Sequence, residues 1–139
     1  MIAYLDSSVL LRIVLGQAQP LKEWRSVRRG VASSLVEVEC LRTIDRLRLR
    51  FGIRDRALAL RREAIFRLMD TLEVVEPTRT VLTRAAQPLP TELGTLYAIH
   101  LATAMSWREL HDADLVMATH DAALGTAARS CGLRVVGTT

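Results

Sequence analysis

The sequence predicts an α/β protein built as a three-layer α/β/α sandwich with a central parallel sheet, plus a projecting helical pair. Short apolar runs alternate with helical patterns of about ten to fifteen residues, which favours parallel strands joined by right-handed crossovers. These runs are continuously apolar, as in strands that helices cover on both faces. No repeat or linker divides the 139 residues, so a single domain over residues 1–139 is expected.

The first half of the chain contains three strand patterns and four helical patterns. Strands are predicted at Ile2–Leu5, Val31–Ser33 and Leu72–Val75, and helices from Asp6 to near Gly16, at Leu21–Arg29, from Ser34 to about Arg50, and from Arg54 to about Leu72. Ser34, with Glu37 three residues later, fits the capping box of a helix start. The helical pair within Arg42–Arg67 is more charged than a sheet-packed pair should be, which indicates that it projects from the domain.

The second half repeats the alternation of helix and strand. The predicted elements are a short helix at Thr78–Ala86, a loop marked by Pro88 and Pro90, a helix at Glu92–Trp107, a strand at Leu115–Ala118, a helix at Asp121–Cys131 and a last strand at Leu133–Val136. Each strand here is followed by a helical segment or a turn. That order continues the parallel sheet.

The charge balance favours a nucleic acid as partner. The net charge is +4, and the excess is almost wholly arginine, since Lys22 is the only lysine. Arginine suits bidentate phosphate recognition, and a basic balance favours polyanions. The alternative is that arginine preference reflects codon composition and that these side chains only solvate helix faces. Aromatic residues make up 4% of the chain, which argues against a base-stacking platform.

Two further features bear on the cellular compartment. No apolar stretch approaches the length of a membrane-spanning helix, and the first residues lack the pattern of a secretory signal, so no membrane partner is expected. Cys40 and Cys131 lie far apart and match no metal-ligand spacing. Isolated cysteines are typical of reduced thiols, so a cytoplasmic location is expected.

Two aspartates follow predicted strands. Asp6 comes directly after Ile2–Leu5, and Asp121 comes shortly after Leu115–Ala118. Each carboxylate has an ordinary alternative role as a helix N-cap, worth about 1 kcal/mol. Because the carboxyl ends of parallel strands meet at one edge of an open sheet, two such acids together indicate a shared site.

Glu37 and Glu39 compete as a third acid. Two residues along a helix correspond to about 200° of rotation, so both cannot face one cleft. Glu37 has a local role in the predicted capping box, whereas Glu39 is flanked by Val38 and Cys40 on an otherwise apolar stretch. This contrast favours Glu39.

Three polar residues near these acids are assigned supporting roles. His100 lies in the small-residue stretch Ala98–Ala104, where a partly buried, hydrogen-bonded structural histidine is favoured over a ligand or base. Ser7 and Thr119 each neighbour a candidate acid. They are better placed to orient carboxylates or water than to act as ligands.

The four segments that carry these residues resemble the motifs of the PIN-domain nucleases, and within them the VapC-type toxins of toxin–antitoxin pairs. They are the stretches Met1–Ser8, Ala32–Glu39, Leu96–Ala104 and Leu115–Asp121, and they occur in the family's order. The alignment of Ser33-Ser34-Leu-Val-Glu-Val-Glu39 also places the family's acid at Glu39. The resemblance covers the whole chain.

The resemblance implies a Mg²⁺- or Mn²⁺-dependent endoribonuclease, with RNA as substrate. Its catalytic and metal-binding residues would be Asp6, Glu39 and Asp121, and carboxylates suit magnesium, which prefers oxygen ligands. The resemblance also implies a homodimer silenced by a small cognate antitoxin protein.

Tyr97 departs from the family pattern, which has Asp at this position. A phenol with a pKa near 10 is a poor magnesium ligand at neutral pH. Glu92 is not expected to compensate, because five residues on a helix correspond to about 500° of rotation. The sequence leaves open whether Tyr97 is natural or introduced, and whether one or two metal ions bind.

Two other functions were weighed against this interpretation. A non-catalytic PIN-fold protein that binds antitoxin or RNA without cleavage is the alternative that Tyr97 supports. A phosphate-accepting receiver domain needs a lysine after a late strand, and Lys22 lies in an early segment. The receiver interpretation is therefore rejected.

Overall fold

The computed structural model describes residues 1–139 and contains five strands and six α-helices. The strands are β1 (Ile2–Leu5), β2 (Arg29–Ser33), β3 (Glu73–Val75), β4 (Leu115–Ala118) and β5 (Arg134–Val136). The helices are α1 (Ser7–Val14), α2 (Leu35–Phe51), α3 (Asp55–Thr71), α4 (Arg79–Ala85), α5 (Thr95–His111) and α6 (Ala122–Ser130). No helix combines the length and apolar character that a bilayer crossing requires.

All five strands are parallel, in the order β3-β2-β1-β4-β5. Moving along the chain, β1, β2 and β3 step outward in one direction, and β4 then returns to pair with the other side of β1. The strand order therefore reverses between β1 and β4. In open α/β sheets the crevice at the carboxyl end of such a switch point is where ligands bind.

Helices cover both faces of the sheet and divide the core in two. In β1, Ala3 and Leu5 face the core built with α1, α2 and α3, while Tyr4 faces the core built with α5 and α6. This alternation follows from the period of two in a strand. The predicted three-layer sandwich with a parallel sheet is confirmed.

Helices α2 and α3 form a long antiparallel pair beside the sheet. Their contact buries Ile44 and Ile65, and both side chains join the core beneath α1. Further out, the pair exposes large apolar side chains, with Leu49 68% and Phe51 74% accessible. This is the projecting helical pair that its charge predicted.

The helix predicted at Leu21–Arg29 is wrong. Only Trp24–Ser26 forms a single 3₁₀ turn, and Arg29 already belongs to β2, where it pairs with Ile2. Leu21 is buried and anchors the segment to the core. Sheet pairing at Arg29 ends the segment too early for an α-helix to form.

Two helix starts in the structure also differ from the predicted ones. Ser34 makes no capping hydrogen bond to α2; its hydroxyl instead donates to the Glu76 carboxylate at 3.0 Å, so the capping box is wrong. Helix α5 begins at Thr95, three residues after Glu92, and continues to His111. Glu92 is exposed and lies before the helix begins. The prediction that residues 92 and 97 lie on one helix, related by its rotation, is therefore wrong.

Candidate functional site

Three acidic side chains approach the carboxyl edge of the sheet at the reversal between β1 and β4. Asp6 follows β1 and is the residue before α1, while Asp121 follows β4 and is the residue before α6. Glu39 comes from the second turn of α2, which follows β2. The topology thus brings together residues that are far apart in sequence.

Thr119 links the two aspartates. Its buried hydroxyl donates to Asp6 Oδ2 at 2.6 Å and accepts from the Asp121 backbone N–H at 3.0 Å. Thr119 therefore orients one carboxylate and the backbone of the other residue at once. The supporting role predicted for Thr119 agrees with these contacts.

The serine that supports Asp6 is Ser8, not Ser7. The Ser8 hydroxyl donates to Asp6 Oδ1 at 2.5 Å and accepts from the His120 backbone N–H at 2.9 Å. The Ser7 side chain makes no hydrogen bond. The first turn of α1 brings residue 8, rather than residue 7, back to the carboxylate that caps the helix.

Both aspartates also serve as N-caps. Asp6 Oδ1 accepts from the Val9 N–H at 3.3 Å, and Asp121 Oδ1 accepts from the Leu124 N–H at 2.8 Å. The capping role is therefore present, and it leaves the second oxygen of Asp121 without a hydrogen bond. Burial raises the pKa of Asp6, and the hydrogen bonds from Ser8 and Thr119 oppose that rise only in part.

Glu39 is held by a buried pair of aromatic side chains. His100 Nε2 lies 2.6 Å from Glu39 Oε1, and His100 Nδ1 lies 2.7 Å from the Tyr4 hydroxyl. Tyr4 and His100 are both fully buried, and burial raises the pKa of the Tyr4 phenol. The protonated phenol donates to Nδ1, so Nε2 carries the proton that it donates to Glu39. His100 is thus hydrogen-bonded as predicted, but it is fully rather than partly buried.

Tyr97 lies half-buried in the first turn of α5. Burial and the neighbouring Asp121 carboxylate raise its pKa to about 12, and the charges of Asp6 and Glu39 add to the effect. No hydrogen bond of normal geometry joins the phenol to Asp121. The ring packs against the core of α5 and α6, and the charges of the three carboxylates still act on its phenol.

The competing acids are not in this position. Glu37 makes no side-chain hydrogen bond or salt bridge, whereas Glu39 is tied to His100 and acts on the pKa of Tyr97. Glu92 lies exposed before α5. The contacts therefore favour Glu39 over Glu37.

The donor set suits a divalent cation in kind but not in spacing. Carboxylate oxygens are the ligands that magnesium prefers. As placed, however, no group of three or more His, Cys, Asp or Glu side chains could hold a metal ion. Asp6 is engaged by Ser8 and Thr119, and Glu39 is engaged by His100.

The family model of the PIN domain matches residues 3–129. No sequence among curated proteins matches the chain. Among solved structures, FitAB bound to an IR36 DNA fragment has a TM-score of 0.69 at 14% identity, over 97% of this chain and 93% of that one.

Two further structures are similar. FitAcB from Neisseria gonorrhoeae has a TM-score of 0.61 at 17% identity, over 97% of this chain and 96% of that one. VapC20 from Mycobacterium tuberculosis, described as a sarcin–ricin loop cleaving toxin, has a TM-score of 0.59 at 19% identity, over 91% of this chain and 95% of that one. At these identities the likeness shows the fold.

Proposed function

The chain belongs to the PIN domain family, and on that premise we propose that it is a metal-dependent endoribonuclease of the VapC toxin type whose activity Tyr97 strongly reduces. We treat residues 1–139 as one PIN-like domain. The observation that carries the proposal is that the Thr119 hydroxyl joins the Asp6 carboxylate to the Asp121 backbone where β1 and β4 end. This link at a switch point supports a site for phosphate chemistry rather than two separate helix caps.

In this proposal Asp6, Glu39 and Asp121 are the catalytic residues and would be the ligands of Mg²⁺ or Mn²⁺, for which their side chains must approach one another more closely than they do in this structure. When bound, the cation supplies Lewis-acid activation of a water molecule and neutralises charge on the phosphate. The chain's own contribution is to hold its carboxylates in place. Thr119 and Ser8 orient Asp6, and His100 orients Glu39.

Tyr97 limits this chemistry for two reasons. A phenol whose pKa is raised to about 12 stays neutral at physiological pH and adds no negative charge where the acids meet. Its ring also fills space beside them. A group that acts only in the transition state often contributes two to four orders of magnitude in rate, or about 3–5 kcal/mol.

The proposed partners are an RNA substrate, a small antitoxin protein and a second copy of the chain, in the cytoplasm. The name of VapC20 as a toxin that cleaves the sarcin–ricin loop supports the RNA substrate. For the antitoxin, the projecting pair offers a shallow groove of about 390 Å³ on α3, lined in part by Leu58 and Phe66. Phe66 is 42% exposed, as an apolar anchor for a partner helix should be.

The test compares RNA cleavage by the parent protein and by Tyr97→Asp in Mg²⁺ and in Mn²⁺. We expect Tyr97→Asp to create or greatly increase cleavage, and to be toxic when expressed without an antitoxin. Asp6→Asn placed in the Tyr97→Asp background is the matched control and should abolish the gain.

A different result would overturn the proposal. If Tyr97 were only a core aromatic residue, Tyr97→Asp would bury an unpaired carboxylate, lower the melting temperature and give no cleavage. Measuring melting temperature alongside cleavage separates these outcomes.

The second candidate is a PIN-fold protein that binds antitoxin or RNA without cutting. The observation that favours it is the absence of any three-ligand group spaced for a metal ion. Parent protein that cuts no RNA at high Mn²⁺, but binds RNA or antitoxin, would establish this candidate for the present sequence.

A further inference from the structure

A basic groove lies beside the acidic site. It has a volume of about 1130 Å³ and runs between the end of α1, the segment 17–25 and residues 137–139. Its charged walls contain the cations Arg12, Lys22 and Arg25 and the single acid Glu23. Of the fifteen residues that line it, only Ile13, Leu21 and Trp24 are hydrophobic.

The basic groove is continuous with the acidic site through His120. This residue lines the groove and sits between Thr119 and Asp121 in sequence. Its backbone N–H donates to the Ser8 hydroxyl, which in turn holds Asp6. Its Nδ1 donates to the Gly137 carbonyl at 2.9 Å, while its Nε2 has no hydrogen-bond partner.

The cations of the groove are not neutralised by the chain itself. Six arginines elsewhere form salt bridges with carboxylates. Arg12, Lys22 and Arg25 form none, and the one hydrogen bond of their side chains runs from Arg12 to the Gln19 carbonyl. Three unpaired cations along one groove present a charge that an anionic partner would complement.

We propose that the basic groove binds the stretch of single-stranded RNA that adjoins the cleaved phosphate, an inference that rests on the proposed function. The cations would contact backbone phosphates, and the half-buried Trp24 ring on the groove wall would stack on a base. An acidic peptide would also satisfy the cations, so competition by such a peptide is one arm of the test. A strand seated here would reach the acids past His120.

The test measures the affinity for a short fluorescein-labelled single-stranded RNA in EDTA, so that no cleavage occurs. Lys22→Gln/Arg25→Gln removes two groove cations. Arg50→Gln/Arg56→Gln is the matched control, because it removes the same charge from exposed, unbridged arginines on the projecting pair. Each phosphate contact on a single strand contributes about 0.7 to the slope of log affinity against log salt.

Losing two contacts makes the salt dependence shallower. Between about 50 and 200 mM salt, the affinity of Lys22→Gln/Arg25→Gln should fall about sevenfold less than that of the parent. The control should keep the parent's slope. Equal slopes for the two double variants would overturn the inference, as would displacement of the RNA by an equimolar polyglutamate peptide.

This result is separable from the proposed function. If Tyr97→Asp cuts no RNA while the groove variant still loses salt-dependent binding, the nuclease proposal fails and the groove assignment stands. If Tyr97→Asp cuts RNA but the groove variant binds like the control, only the groove assignment fails.

Discussion

Replacement of His100 by leucine tests how the chain holds Glu39. The histidine fills a fully buried position between Tyr4 and Glu39, with hydrogen bonds of 2.7 and 2.6 Å. In His100→Leu the buried Tyr4 hydroxyl loses its acceptor, which costs about 1–3 kcal/mol. Glu39 remains partly exposed, so water replaces most of the other bond. We expect a total loss of about 2–4 kcal/mol in the free energy of unfolding.

A double-mutant cycle separates the hydrogen bond from the change in packing. Tyr4→Phe alone leaves Nδ1 of His100 without a donor and should cost about 1–3 kcal/mol. In Tyr4→Phe/His100→Leu neither group is left unpaired, so the double variant should be more stable than the sum of the single effects by about 1–2 kcal/mol. Urea unfolding followed by circular dichroism measures all four proteins. Strict additivity would refute the buried hydrogen bond between Tyr4 and His100.

Two further changes test the neighbouring side chains. Because burial raises the pKa of Asp6 in the folded state, its contribution to stability is present below about pH 4 and is lost as the pH rises through the raised value. Urea unfolding in EDTA measures this effect. As the pH rises from about 4 towards neutrality, the free energy of unfolding of Asp6→Asn should increase relative to that of the parent. A difference that stays constant with pH would contradict the raised pKa of Asp6. At Gly137, with φ of +97°, an added Cβ would lie 2.4 Å from the Thr119 carbonyl oxygen. Gly137→Ala should lower the melting temperature well below that of Gly132→Ala, whose φ is also positive but whose Cβ meets nothing within 4 Å; equal melting temperatures would show that Thr119 moves freely.

The sheet and the positions of the acids were predictable because both depend on local patterns. Continuous apolar runs mark covered parallel strands, and a polar residue directly after such a run marks the carboxyl edge. Asp6 and Asp121 follow β1 and β4, which the observed strand order makes neighbours. Residue 97 was placed by resemblance to a family motif, since the local sequence alone is consistent with a core aromatic residue.

The remaining features depend on contacts between distant segments. The bond from Tyr4 to His100 joins residues 96 apart, and no local pattern specifies it. Whether Ser7 or Ser8 supports Asp6 depends on how the first turn of α1 meets Thr119 across the sheet. The predicted helix at Leu21–Arg29 failed because pairing of Arg29 with Ile2 overrides local helical spacing.

The central claim is that Asp6, Glu39, Asp121 and position 97 face one cation site. Calorimetric titration with Mn²⁺ tests it most directly, on the parent, Tyr97→Asp, and Tyr97→Asp with Asp6→Asn added. We predict that Tyr97→Asp binds Mn²⁺ at least about tenfold more tightly than the parent, a difference of about 1.4 kcal/mol, and that adding Asp6→Asn removes this gain. Equal Mn²⁺ affinity for the parent and for a folded Tyr97→Asp would contradict the account.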